Sequence, residues 1–508
     1  MSRSIRSGFI AGVGAGGIAT AAIYLGLFTS GIPAVALALW DRMLRAIPME
    51  VFSYFIVRLK FAAKPSAFWG MLLGIVVLWG VLGALLVRVR PWPRLLLAWA
   101  VSAGVLALLT WGPASATLAA RHQALGAADG GTLPVALAIA GYATLYALVY
   151  AVTVGRPPRP VAAAPKGGVT RREVLTRGLL LFVAAAAGAS AARWMSAVGG
   201  RTRAVAQSLF ARVRDLPPEI TPTDQFYVVS KNPPGFDPVL NADRWSLEVG
   251  GLVARPLKLG YEQLRQFPSV EQFQTLECIS NEVGGDLIGN ARWKGARLRD
   301  ILQQAGGPGA KAVKVAFRCA DGYTESIPIA DALNPTTLLA YEMNGEPLPP
   351  RHGFPVRLLV PGLFGMKNPK WITRIEVVDY DFQGYWERSG WSDEAVVKTM
   401  SKFTTLPRTV APEEVPLGGV AYAGDRGVRE VEVSTDGGRS WQKAEVKPAL
   451  GPFTWVLWAA LWKPTGPGEY TLKVRAKDGG GVLQTAKEAP PLPDGASGYH
   501  TLRVRVRN

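Results

Sequence analysis

Cysteine is scarce in this chain, and one of its two copies, Cys278, stands in T-L-E-C-I-S-N-E-V-G-G-D-L-I-G-N, residues 275–290. A thiolate is a soft ligand that suits a transition metal. The turn formers behind it, Ser280, Asn281, Gly284 and Gly285, favour a loop whose backbone approaches a bound group closely. Residue type alone is more often explained by a buried structural thiol. Histidine is nearly as scarce, with His122, His352 and His500 only, and no C-x-x-C pair occurs. These counts exclude a disulfide scaffold, a zinc cluster and covalent haem attachment. A bis-histidine haem between apolar helices would lack its second ligand, so neither haem nor zinc is expected.

Four more stretches share a pattern with the cysteine loop: T-P-T-D-Q-F-Y-V-V-S-K-N from Thr221, A-R-W-K-G-A-R-L-R-D-I-L from Ala291, L-L-A-Y-E-M-N-G-E-P-L-P-P-R-H-G-F-P-V-R from Leu338, and V-S-T-D-G-G-R-S-W from Val433. In this order, and spread over more than half the chain, the five motifs make residues 220–508 resemble the sulfite oxidase family of molybdopterin enzymes. The resemblance implies a molybdenum-molybdopterin cofactor with the metal on Cys278. It implies cofactor-binding roles for Tyr227, Lys231, Asn281, Asp321, His352, Arg357, Asn368, Pro369 and Lys370. Such a cofactor needs fixed cationic donors for its phosphate and hydrogen-bond partners for its ring nitrogens. Cys319 matches no ligand position and reads as packing.

Two positions depart from the sulfite-oxidising members. An arginine that helps to bind the anionic substrate is replaced by Val229, and the active-site tyrosine, a catalytic position, by Trp391. A more apolar, less cationic pocket follows, which makes sulfite itself a doubtful substrate. The direction of turnover stays open, because two-electron oxo transfer can run as oxidation or as reduction, and the cofactor does that work while the protein orients it. A separate electron-transfer partner, cytochrome or quinone-linked, and a small-molecule substrate are implied. The alternative is a non-enzymatic envelope module that keeps the fold. Cys278, His352, Arg357 and Lys370 occurring together favour the enzyme.

What positions this domain is read from composition. With 56 Lys and Arg against 38 Asp and Glu, the net charge of +18 would raise nucleic acid as a partner. Its distribution points instead to membrane lipid. Residues 8–30, 67–87, 95–111 and 133–154 are apolar runs of bilayer-crossing length, and 34–66 has the mixed pattern of an amphipathic helix lying on a membrane. The spans hold almost no ionisable residue that would mark a transport pathway. One set of flanks carries Arg3, Arg6, Arg88, Arg90, Arg94, Arg156, Arg159, Lys166, Arg171, Arg172 and Arg177, the other Arg42, Arg45, Arg58, Lys60, Lys64 and Arg121. Eleven against six places the N-terminus in the cytoplasm. After a Pro/Ala/Lys/Arg linker at 155–168, Arg171-Arg172 and the apolar 178–192 resemble a twin-arginine export signal, taken here as an uncleaved fifth helix. A multi-pass protein of the bacterial inner membrane results, its catalytic domain on the extracytoplasmic side.

The expected fold is therefore multi-domain: all-α transmembrane helices in 1–200, an α+β molybdopterin-binding domain of sulfite oxidase type in 201–400, and an all-β immunoglobulin-like sandwich in 405–508 of the dimerisation type, which allows a homodimer. Short runs at 245–249, 313–317, 356–360 and 372–378 read as strands, and 261–266 and 298–305 as helices, without a βαβ rhythm. Beyond 417, residues 428–434 alternate, Asp436-Gly437-Gly438 marks a hairpin, and Trp441, Trp455 and Trp458 supply inward bulk. A reporter that works only outside the cytoplasm should be active when fused after Arg201 and silent when fused within 155–168. The opposite pattern would reverse the orientation.

Overall fold

The computed structural model describes residues 3–30, 40, 43–44, 47, 51, 63–87, 97–104, 107, 132–154, 209–233 and 235–507. Three long helices open it: α1 (Arg3–Ser30), α2 (Ala63–Leu86) and α3 (Thr132–Val154). Small residues let α1 and α2 approach closely, as a Cβ added to Gly83 would lie 2.4 Å from the Gly8 carbonyl oxygen. The Tyr146 and Tyr150 hydroxyls of α3 donate to the Trp79 and Gly83 carbonyls of α2 at 3.2 and 2.5 Å. By contrast Trp69, Leu73, Val77, Val81 and Leu85 of α2 point outward, exposed. Among the described residues, Ser66–Leu86 is long and apolar enough to cross a bilayer by length and composition.

The expected runs at 8–30, 67–87 and 133–154 coincide with these helices, and 97–104 within the run at 95–111 is helical. The linker at 155–168 and the run at 178–192 lie outside the described residues, as does most of 34–66. Where 34–66 is described, Trp40, Met43 and Leu44 meet protein, while Val51 is exposed. Trp40 is buried beside Phe68, Leu72 and Phe236, and its indole N–H donates to the Lys231 carbonyl at 2.9 Å. Phe68 and Phe236 meet edge to face at 5.7 Å. The helical region and the domain that follows are thus in direct contact.

That domain holds two sheets. The first, in the order β2-β1-β10-β5-β6, is built from β1 (Ser246–Gly251), β2 (Leu257–Gly260), β5 (Lys314–Cys319), β6 (Thr324–Pro328) and β10 (Ile372–Val378). The second runs β3 (Ser269–Glu277), β4 (Ile288–Arg297), β7 (Leu338–Met343) and β8 (Glu346–Pro347), with β9 (Arg357–Leu359) also paired to β7. Only the β1–β10 pair is parallel, so α+β holds over a doubly wound sheet. Helices Tyr261–Arg265 and Leu298–Gln304 cover the first sheet, and Trp245, Leu247, Ile301, Phe317 and Ile375 fill its core. Cys319 is fully buried in that core, and burial pushes its thiol well above the usual range.

Two further sheets pack face to face on Leu417, Val431, Trp458, Leu472 and Val504. One contains Met400–Phe403, Val415–Tyr422, Val456–Trp462 and Glu445–Val446. The other contains Thr409–Val410, His500–Val506, Gly468–Asp478, Val428–Ser434 and Gln442–Lys443. Trp455 and Trp458 are buried as expected. Trp441 is only half-buried, because it sits at the hairpin mouth with the Arg475 guanidinium 4.0 Å over its ring.

This sandwich grips β3 just ahead of the cysteine. The Trp455 N–H donates to the Thr275 hydroxyl at 2.9 Å, the Thr275 hydroxyl to Asn290 Oδ1 at 3.1 Å, and the Tyr422 hydroxyl to the Thr275 carbonyl at 3.0 Å. Gly284, at φ +78°, is pressed against the His500 ring, which a Cβ would meet at 2.5 Å. Thr275→Val keeps the shape but leaves the Trp455 N–H and Asn290 without their partner. It should destabilise the protein by about 1–3 kcal/mol, read as a lowered thermal midpoint; an unchanged midpoint would remove this contact from the domain junction.

Candidate molybdopterin site

The cysteine loop closes where the β3–β4 pairing ends. The Cys278 N–H donates to the Leu287 carbonyl at 2.9 Å, and the Asn281 N–H to the Cys278 carbonyl at 2.9 Å. Asn281 then braces the turn from within, its side-chain amide donating to Glu277 Oε1 at 2.9 Å and its carbonyl oxygen accepting from the Leu287 N–H at 3.0 Å. Glu277 is buried, which raises its carboxyl to about 7 against the opposing pull of Asn281 and Lys402. Cys278 Sγ lies 3.0 Å from the Ser280 hydroxyl and opens on a cavity with about 1050 Å³ of empty volume, its mouth included.

Ten of the eleven residues singled out in the sequence line this cavity: Tyr227, Lys231, Cys278, Asp321, His352, Arg357, Asn368, Pro369, Lys370 and Trp391. Asn281 does not. It faces a smaller cleft toward the sandwich, and its part is to hold the loop. Asn368 also spends its side chain on structure, accepting from the Val360 N–H at 2.8 Å and donating to the Phe364 carbonyl at 3.0 Å.

Arg357 is the electrostatic centre. Its Nη1 and Nη2 donate to the His352 and Asn368 carbonyls at 3.1 and 3.2 Å, and the guanidinium lies 5.2 Å over the Trp293 ring. Its Nε is buried with no partner among the described residues. Burial lowers its pKa to about 10, so it stays charged at neutral pH. His352 Nε2 lies 3.1 Å from the Thr223 carbonyl. A carbonyl can only accept, so Nε2 donates and Nδ1 remains an acceptor. Burial, then the Arg357 charge, lowers His352 to about 4 and keeps it neutral. Lys370 donates to the Arg351 carbonyl at 3.0 Å and lies 4.2 Å over the Trp371 ring. Lys231, Arg351, Arg357 and Lys370 thus surround a cavity whose one acidic lining residue is Asp321. Asp321 is itself tied down by the Tyr323 N–H at 3.0 Å and the Asn232 amide at 3.1 Å.

This donor set fits a pyranopterin phosphate: a buried guanidinium with an unanswered N–H, three further cations, neutral imidazole and amide groups for ring nitrogens, and an accessible thiol. Two domain families match successive parts of the chain. Residues 235–386 match the oxidoreductase molybdopterin binding domain, and 392–488 the Mo-co oxidoreductase dimerisation domain. Sulfite oxidase of Arabidopsis thaliana is 33% identical over 276 residues, 44% of this chain and 70% of that protein. The chain belongs to the sulfite oxidase family of molybdopterin oxidoreductases. Human mitochondrial sulfite oxidase is 35% identical over 322 residues, 53% of this chain, and the match spans 58% of its length. The fold also matches the crystal structure of the sulfane dehydrogenase SoxCD from Paracoccus pantotrophus. There the TM-score is 0.52 at 21% identity, covering 69% of this chain and 93% of that one. As a member of this sulfite oxidase family the protein is an enzyme, which sets aside the non-enzymatic module.

Both departures from the sulfite-oxidising pattern sit on the cavity wall. Val229 is 39% exposed and Trp391 8%, and the Trp391 indole N–H is buried without a partner. Sequence reasoning passed over Tyr323, Arg351, Met366, Trp371 and Trp386, which also line the cavity. Tyr323 was within reach, two residues past Asp321 in R-C-A-D-G-Y, where Gly322 at φ +77° turns the chain inward.

His500 resembles His352 electrically. Its Nδ1 accepts from the Phe403 N–H at 3.0 Å, and burial, aided by Lys402, lowers it to about 4. Both groups ionise at 6.5 when unfolded, so unfolding takes up protons as the medium becomes acidic. Stability should hold above pH 6.5 and be lost as pH falls through 6.5 toward 4. His500→Gln should flatten that fall in a denaturation series; an unchanged slope would mean that His500 is not buried neutral.

Proposed function

We propose that this enzyme is a membrane-anchored molybdenum oxidoreductase that performs two-electron oxo transfer on a small, uncharged substrate outside the cytoplasm. The supporting observation is the cavity at Cys278, where a buried guanidinium lacks an anion among the described residues. The Cys278 thiolate would ligate molybdenum. Arg357, Lys370 and Arg351 would hold the pterin phosphate, with Tyr227, Lys231, Asp321, His352 and the 368–369 backbone at its ring system. When bound, the group supplies the electron-pair change and the oxygen-atom transfer. The protein's own residues do the rest: Arg357 fixes charge, His352 accepts a hydrogen bond at Nδ1, and Trp391 and Val229 make the substrate end apolar.

Sulfite carries two charges and needs a cation at its oxygens. At Val229 there is none, and Arg388 is spent on Thr324 and the Gln383 carbonyl. Outward-facing apolar residues on α2 support a bilayer anchor, and the basic flanks support a multi-pass topology with the enzyme facing outward. The electron partner is then a cytochrome or a quinone-linked carrier. The C-terminal sandwich is read as immunoglobulin-like, and its match to a dimerisation domain supports a homodimer.

Protein made in a host that supplies the cofactor should contain about one molybdenum per chain, and Cys278→Ser should change the metal's coordination and abolish turnover. Metal-free protein with full activity would sink this reading. Sulfite oxidation with an artificial acceptor should be slow. Val229→Arg should tighten sulfite roughly tenfold or more, the yield of a charge-assisted contact of about 1.5–3 kcal/mol. Fast sulfite oxidation by the unaltered enzyme would refute the substrate argument.

A further inference from the structure

Beneath the cavity wall lies a cluster of ionisable groups that cofactor binding does not use. The Tyr323 side chain lines the cavity, and its hydroxyl lies 2.8 Å from Glu325 Oε2 and 3.0 Å from the Met366 carbonyl. A phenol has one hydrogen. If Tyr323 donates it to Met366, whose carbonyl can only accept, Glu325 must be the donor on the other side and hence protonated. If Tyr323 donates it to Glu325, the carboxylate is charged. The two arrangements differ by the position of one proton.

The chain of contacts continues outward. Glu325 Oε1 accepts from the Ser326 N–H at 2.8 Å and from the Lys367 ammonium at 2.9 Å. The ammonium also meets Glu387 Oε1 at 2.6 Å, Asp393 Oδ1 at 3.0 Å and the Ser326 carbonyl at 3.1 Å. Three hydrogens therefore face four acceptors. Glu387 Oε2, buried beside them, has no donor. Asp393 Oδ2 accepts from Lys314 at 2.6 Å, and Lys314 meets Asp381 at 2.5 Å. The Glu325 and Lys367 side chains are 0% and 1% exposed, those of Asp393 and Asp381 36% and 66%. A path of hydrogen bonds thus leads from the cavity to water.

At the sealed end one lysine, Lys367, is set against two carboxyls, Glu325 and Glu387, an excess of acid that burial tolerates best with a proton on board. Burial raises the Glu325 carboxyl well above the usual range, Glu387 adds to this and Lys367 opposes it. Asp393 is held low by its hydrogen bond to Lys314 and by Lys367, against the effect of burial. The inner carboxyl favours holding a proton and the outer one releasing it.

We propose that Tyr323, Glu325, Glu387 and Asp393 form a proton relay between the cavity and water, with the Lys367 ammonium as the hub that the three carboxyls share. The proposal rests on the oxo-transfer reading above. In that reaction a substrate and one water give the oxygenated product, two protons and two electrons, the electrons passing to an external cytochrome or quinone-type carrier. The reverse direction takes up the same particles. Either way two protons cross between an apolar cavity and bulk water at each turnover. In each transfer the Tyr323 oxygen takes a proton from the cavity as its own passes to Glu325. Glu325 passes one to Glu387, Lys367 takes that proton from Glu387 as it releases one to Asp393, so that its charge is unchanged, and Asp393 releases its proton to water.

Glu325→Gln keeps the shape and removes the carrier. Asp393→Asn blocks the exit at the partly exposed end, where folding is least at risk. In infrared spectra of the full protein, with or without cofactor, a protonated-carboxyl band distinct from that of Glu277 should be present, lost in Glu325→Gln, and slower to exchange in D2O by tenfold or more in Asp393→Asn. In the loaded enzyme both variants should lower kcat about tenfold with KM and molybdenum content unchanged, and enlarge the solvent isotope effect. A merely structural role would change metal content or KM instead. A loaded Asp393→Asn enzyme with wild-type exchange and kcat overturns the relay alone. Wild-type protein that binds no molybdenum overturns it together with the oxo-transfer reading.

Discussion

A guanidinium sealed from water is tolerable only if something answers its charge. Arg357 is 5% exposed, gives two donors to carbonyls, and has neither a carboxylate partner nor an Nε partner among the described residues. The arrangement is costly by itself and favourable around an anion. Much of the surrounding chain is explained by that requirement. The short β9 strand holds Arg357 beside β7, the 3-10 turn at Pro350–His352 aims a carbonyl at it, and the 368–370 backbone closes over it. Folding of this wall and loading of the cofactor should therefore be thermodynamically linked.

The family and the cavity were legible in the sequence because their residues are clustered in short motifs with rigid spacing. His352 and Arg357 are five apart in one turn and strand, and Asn368 to Lys370 are adjacent, so any fold that kept the spacing would bring them to one place. Asn281 illustrates the limit. Its motif position was visible, but whether an amide points into a cavity or back across its own loop depends on the Glu277 carboxyl and the Leu287 N–H, partners that only the closed loop supplies. The charged cluster behind Tyr323 was illegible for a related reason. Glu325, Lys367 and the Glu387–Asp393 segment come from three separated stretches, and no local pattern announces that they converge.

The same contrast holds in the regular elements. Strands such as Ile372–Val378 and Val428–Ser434 carry their own periodicity and appear where it places them. Trp441 carries none, and its half-buried position is set by Arg475 from another strand. Apolar helices declare themselves by length, yet the burial of Trp40 against the Lys231 carbonyl depends on the catalytic domain lying beside α2.

That last contact alters the geometry of encounter. The Trp40–Lys231 bond and the Phe68–Phe236 pair join the helical region to the strip of chain that forms one wall of the cavity. An enzyme held to a bilayer by a loose tether would tumble, and its mouth would sample every direction. With the bilayer anchor proposed above, the mouth would keep a constant height and tilt relative to the lipid plane. A carrier confined to that plane would then meet it through a two-dimensional search, at one recurring angle of approach.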